Sequence, residues 1–148
     1  MPVTFDDSLW PLLTIRYVGT MSDMEYEESL SQLSSFLHRR EPFFFIIDTS
    51  RSGTPNNSQR QRQVEWSRAH EGLERTWGRG TAFIVTSPFV RAAMSLFFHV
   101  RPPGTPYVIT SDMGSALTWI LARMEATGFT EEAARVRHQL GSHSQHIG

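Results

Sequence analysis

Phe43-Phe44-Phe45-Ile46-Ile47-Asp48 decides the fold: five apolar residues closed by one acid. The run is too short to cross a membrane and too apolar for an edge strand. It therefore predicts a central strand covered on both faces. Helix-forming sequence lies on both sides of it, which makes this an α/β chain. The segment after Asp48, at the carboxyl end of a central strand, becomes the first place to look for a site.

Toward the N-terminus, Val3 to Asp6 and Leu12 to Val18 read as two short strands joined as a hairpin across Trp10-Pro11. In the second, Leu13, Ile15 and Tyr17 share one face and Leu12, Thr14 and Arg16 the other. Ser22-Asp23-Met24-Glu25 has the form of a capping box. The helix it opens carries Tyr26, Leu30, Leu33 and Leu37 along one stripe. It must end before Pro42, with Arg39-Arg40 suited to its negative end.

Beyond Asp48, a turn-rich stretch from Thr49 to Ser58 leads into a helix with the stripe Trp66, Ala69, Leu73 and Trp77. Gly78-Arg79-Gly80 reads as its stop, and Thr81 to Thr86 as the next strand. Ser87-Pro88 is an N-cap followed by proline at the first helical position, opening a helix from Phe89 to Val100. Pro102-Pro103-Gly104 closes it, and Pro106 to Ile109 forms a last strand. Ser111-Asp112 caps a helix with Ala116, Leu117, Ile120, Leu121 and Met124 facing inward. After Gly128 a short polar helix runs from Thr130 to about Leu140, and residues 141–148 read as a disordered tail. The strands at Phe43, Thr81 and Pro106 are expected to be parallel, joined by right-handed crossovers.

A chain of 148 residues suits one domain, and folding at that size buries roughly 70% of the unfolded surface. A division into residues 1–125 and a C-terminal helix with tail, 126–148, follows from the break at Gly128. No cysteine is present, which excludes disulfides, thiolate metal sites and thiol catalysis. All fourteen cations are arginine, so Schiff-base and lysine-dependent phosphate chemistry are excluded too. A net charge of -1 gives no general pull toward nucleic acid or an anionic membrane. The opening residues lack a signal-peptide pattern and no apolar run reaches membrane-spanning length, so a cytoplasmic protein is expected.

The order strand, strand, helix, strand, helix, strand, helix, strand, helix resembles the STAS fold. Within that superfamily it is similar to the small stand-alone bacterial STAS/SEC14-like, or anti-sigma-factor-antagonist-like, proteins. The resemblance is carried by Phe43 to Asp48, by Ser87-Pro88-Phe89-Val90-Arg91, and by Tyr107 to Ile120 with its Ala116-Leu117-Thr118-Trp119-Ile120 ending. It covers roughly residues 1 to 125. It implies a mixed, mainly parallel sheet of four to five strands with about four helices, plus the short C-terminal helix. It also implies regulation through protein partners. In phosphorylatable relatives a Ser or Thr at the start of the following helix is modified. Ser58 and Thr54 stand nearest that place, without the compact Asp-Ser-Ser-Gly signature.

Candidate site residues gather around the same sheet end. Asp48, Ser50, Arg51, Ser58, Arg60 and Arg62 surround a helix start, where anions are favoured. Arg91, one turn into the next helix, is expected near that end, where it joins the same anion- or partner-binding group or pairs with Asp48 or Asp112, a structural salt bridge being the plainer reading. The helix Phe89 to Val100 is too apolar for one sheet contact. Phe89, Leu96, Phe97 and Val100 are expected to form its buried stripe, and Val90, Met94 and Phe98 a second one. The C-terminal helix would cover that second stripe, or a homodimer would, with Met94, Phe97 and Phe98 at the interface. His138, His143 and His146 lack companions at metal-ligand spacing, and no catalytic motif occurs. The reading is a non-catalytic regulatory or adaptor domain that binds a protein partner, with no cofactor, metal or nucleic acid. Its rivals are a lipid or small-molecule carrier with a cleft beside Phe97-Phe98, and a hydrolase-like enzyme using Asp48 and His70.

Overall fold

The computed structural model describes residues 2–147, with side chains to residue 140. Its elements are β1 (Val3–Leu9), β2 (Leu12–Gly19), α1 (Asp23–Leu37), β3 (Phe43–Ser52), α2 (Asn57–Trp77), β4 (Gly78–Ile84), α3 (Pro88–Val100), β5 (Tyr107–Thr110), α4 (Met113–Ala126) and α5 (Thr130–Ile147). The sheet order is β1-β2-β3-β4-β5, with β1 antiparallel to β2 and every later pair parallel. The Phe43 strand sits in the middle, as its apolar run predicts.

Each crossover from β2 to β5 moves one place in the same direction. Crossovers of one hand then put α1, α2 and α3 on a single face. On that face Leu13, Ile15, Phe43 and Phe45 pack against Leu30, Leu33, Leu37 and Trp66. The alternate residues Leu12, Phe44, Ile46, Ala82 and Ile84 turn to the other face and meet Ala116, Ile120 and Met124 of α4 with Ala133 and Val136 of α5. The period-two pattern of the strands thus feeds two separate cores.

The capping signals work as read. Ser22 and Glu25 close a full capping box on α1, and Ser87 caps α3 with Pro88 in its first turn. Asp112 accepts from the Ser115 amide at 2.7 Å to start α4.

Several expectations need correction. Asp48 does not end its strand: β3 continues through Ser52, because Val18 and Gly19 of β2 pair with Arg51 and Ser52. Gly78-Arg79-Gly80 is the first part of β4 rather than a mere stop. A Cβ on Gly78 would lie 2.6 Å from both the Glu74 carbonyl and the Thr105 hydroxyl, so a side chain there would force a shift, while one on Gly80 would sit tightly, 3.3 Å from the Trp119 ring. In α2, Ala69 is exposed and Gln59 buried, so the inward stripe begins with a polar residue. Arg39 lies past the end of α1. It stacks over Trp10 and Phe36 and bonds Asp7 at 2.8 Å, tying the helix end to the hairpin. Helix α5 runs past Leu140, where a disordered tail was expected. The side chains of His143 and His146 lie outside the described residues.

Candidate functional site

The carboxyl end of the sheet does not gather the expected residues into one cluster. Asp48 faces the α4 side of β3, where its Oδ1 accepts from the Ser50 amide at 2.9 Å and the Ser50 hydroxyl at 2.6 Å. Arg16, its register neighbour on β2, brings Nε within 3.8 Å of the other oxygen. Asp6 and Ser8 repeat the arrangement on β1 at 3.0 and 2.6 Å, and those bonds hold the Asp6 carboxyl below its ordinary range. These contacts order the strand ends and leave an exposed polar surface.

Arg51, Thr54, Ser58 and Arg60 are exposed, on the rim of β3 and the start of α2. The connection they flank is stapled down. Asn56 caps α2 in a capping box with Gln59. Both side-chain amides donate to Asp23 at 3.1 Å, and Gln59 also donates to the Met21 carbonyl at 2.9 Å. These bonds tie the connection after β3 to the start of α1, in place of the free, solvated loop that its turn-rich composition suggests. The Asn-x-x-Gln signature that opens α2 was legible in the sequence and was missed there.

Arg62 turns away from this rim to α1, bonding Glu27 at 2.7 Å. It serves the α1–α2 contact. Arg91 makes neither expected salt bridge. Its Nη2 donates to the Val85 carbonyl at 3.3 Å, while its buried Nε has no partner among the described residues. Asp48 is engaged by Arg16 and Ser50, and Asp112 is the α4 cap.

His70 lies in the α1–α2 seam. Its ring stacks on Trp66 at 4.2 Å, Nδ1 meets the Trp66 carbonyl at 2.8 Å, and Nε2 meets the Ser34 hydroxyl at 2.9 Å. A hydrogen on Nδ1 would leave Nε2 to accept from Ser34, which is a serine–base contact in form. Ser34 sits within α1, however, where its own amide belongs to the helix and cannot stabilise an oxyanion. Asp48 and His70, paired in the hydrolase reading, lie on opposite faces of the sheet.

Near the end of α2, Glu74 lies one turn from His70 with Glu71 nearby, a spacing that reads as an ordinary solvated helix face, but its carboxyl is withdrawn from water. Burial, with the Glu71 charge adding to it, raises its carboxyl to about 7. Its backbone carbonyl accepts from Thr105, on the connection from α3 to β5.

Helix α3 departs most from expectation. None of its residues is buried. The supposed inner stripe faces outward: Phe89 is 83% exposed, Leu96 68%, Phe97 57% and Val100 73%. Phe98, placed at a dimer axis by its spacing, instead packs its ring on Phe83 at 5.4 Å and Tyr107 at 4.9 Å. Met94, one turn earlier, is likewise half-buried. Helix α5 leaves α3 uncovered, for Ala133 and Val136 join the core on the opposite face. Two concavities lie elsewhere. One of about 90 Å³ opens beside Val3 and Ser29, and an open cleft of about 350 Å³ runs between Trp10, Glu41, Phe129 and Arg135. Neither is lined by α3, so neither is the cleft expected beside Phe97-Phe98. Among the described residues no helix is long and apolar enough to cross a membrane.

Neither the family models nor the curated proteins match this sequence. Solved structures do. A crystal structure from Shewanella loihica, described as an uncharacterized protein of the DUF3478 family with a SpoIIAA-like fold, superposes with a TM-score of 0.63 at 17% identity. It covers 80% of this chain and 91% of its own. An anti-sigma factor antagonist from Mycobacterium paratuberculosis gives 0.52 at 12% identity, over 80% and 92%. The chain has a STAS-like, SpoIIAA-like fold.

Proposed function

We propose that this chain is a non-catalytic regulatory or adaptor domain that binds another protein, and that α3 presents the docking face. The observation that carries the reading is the outward stripe Phe89, Leu96, Phe97 and Val100 on a helix none of whose residues is fully buried. Scattered apolar residues on a surface need no explanation, but a continuous stripe of large ones marks an interaction surface. The fold shared with a structure described as an anti-sigma factor antagonist supports the same class of role. Arg51, Arg60, Ser58 and Thr54 form an exposed polar rim at the carboxyl end of the sheet. A regulatory phosphate on Ser58, within the first turn of α2, would meet the positive end of that helix.

Site-specific photocrosslinking tests the docking face. A photoreactive residue is placed at Leu96 and, as control, at Met24 of α1, which is 73% exposed. In cells that make the protein, a discrete, saturable protein adduct from position 96 alone is expected. Identical adducts from both positions would contradict the reading. A lipid recovered in stoichiometric amount, with no protein adduct, would favour the carrier instead.

A further inference from the structure

We infer that the segment docking on α3 is an acidic amphipathic stretch of the partner protein. The inference rests on the docking reading above and adds the partner's chemistry. Between Glu74 and Asp112 the chain has no Asp or Glu, yet it has Arg75, Arg79, Arg91 and Arg101. All fifteen acids and the other ten arginines lie outside that stretch. A nearly neutral chain thus concentrates positive charge along the segment that contains α3.

Not every one of those cations faces outward. Arg79 is turned to the Thr76 and Gly78 carbonyls, Arg91 to Val85, and Arg75 is partnered by Glu71. Arg101, at the C-cap of α3, is exposed and makes no ion pair among the described residues. Exposed His99 stands beside it. The outer surface of α3 is therefore an apolar stripe ended by the Arg101 cation beside the His99 ring, with no acid on the helix.

That surface discriminates between occupants. A second copy would bring up the same acid-free helix, so Arg101 would lose water without gaining a carboxylate. An anionic bilayer is recognised through clusters of about four to eight Lys or Arg, and α3 offers Arg101 with His99. A protein segment with spaced apolar anchors and flanking carboxylates satisfies both parts, and Arg with carboxylate is a strong, directional pair. The stripe from Phe89 to Val100 is about 16 Å long at helical rise, enough for three turns of such a segment.

The full chain is titrated with two labelled synthetic helices sharing one Leu/Phe face, one flanked by Glu and the other by Lys. Vesicles of mixed phosphatidylglycerol and phosphatidylcholine, and sedimentation of the chain alone, run beside them. Preference for the Glu helix by about tenfold or more is expected, a gap of about 1.4 kcal/mol. Added salt should shrink that preference, Arg101→Glu should abolish it, and Leu96→Asp should remove binding while leaving the fold's circular dichroism unchanged. Equal binding of both helices, or of neither, overturns the inference. So does vesicle binding without peptide binding, or a dimer that Leu96→Asp dissociates. A protein crosslinked at Leu96 through a segment lacking acids would overturn the acidic partner alone and leave the docking face standing.

Discussion

Helices α1 and α3 cover the same face of the same sheet and each follows a serine cap, yet they end in opposite states. Helix α1 is mixed in composition and buries Tyr26, Ser29, Leu30, Leu33, Phe36 and Leu37. Helix α3 is apolar along most of its length and buries none of its residues. The difference lies in neighbours. Helix α1 lies over the β2–β3 centre with α2 beside it, joined through Gln59, Arg62 and His70. Helix α3 lies over β4 and the four-residue edge strand β5, held by Phe98 between Phe83 and Tyr107. Apolar content therefore measures what a helix is able to bury; topology decides what it does bury. The surplus on α3 is the surface on which the functional reading rests.

Matched truncations put the largest expected effect on this contrast. Leu30→Ala removes a side chain from the closed α1–α2 core and should cost about 2–5 kcal/mol, read by chemical denaturation. Leu96→Ala makes the same chemical change on α3 and should stay within about 0.5 kcal/mol of the parent. A comparable loss at both positions would mean that the α3 face is covered in solution.

Glu74 sits where α2 reaches the connection between α3 and β5, and its effect depends on pH. Its folded-state value of about 7 lies above the ordinary 4.5, so between these values the folded chain holds the extra proton. Stability contributed by this residue is then complete below about 4.5, falls as pH rises through the window, and stays low above 7. Glu74→Gln should thus stabilise the protein at alkaline pH by on the order of 2 kcal/mol and change little in acid. Thermal melts across that range give the answer. A gain that is the same at every pH would assign the effect to packing.

The polar rim should show a smaller effect. Arg51→Ala and Arg60→Ala leave the core untouched, and stability should move by less than about 0.5 kcal/mol. If this rim joins the partner surface, each change should weaken partner binding by about twofold to tenfold, more at low salt. Unchanged binding in both variants would confine the interface to α3.

Much of the architecture was legible because it is written in local signals. The apolar run at Phe43, the capping boxes, Pro88 after Ser87 and the stripe of α1 each state their structure within a few residues. What escaped reading depended on distant partners. Thr49-Ser50-Arg51-Ser52 carries no strand pattern, and it becomes strand because Val18 and Gly19 run beside it. Gly78 and Gly80 look like a helix stop until Thr105 and Trp119 pack close to the space of their missing side chains. The candidate site suffered most. Proximity along the chain grouped Asp48 with Arg62, and the expected fold brought Arg91 to them, whereas strand alternation and helix rotation sent the three to different neighbours. The two stripes of α3 were legible as stripes. With both apolar, periodicity alone had no means of choosing which faced the sheet.

Amide hydrogen exchange, followed segment by segment over a range of protein concentrations, tests most directly whether α3 is unpartnered in this chain. The account predicts that the α3 amides exchange well before those of α1 and α2, at a rate independent of concentration, because few buried contacts hold that helix closed. Protection of α3 that equals α1, or that rises toward it as concentration increases, would contradict the account and show that the chain covers this face itself or with a second copy.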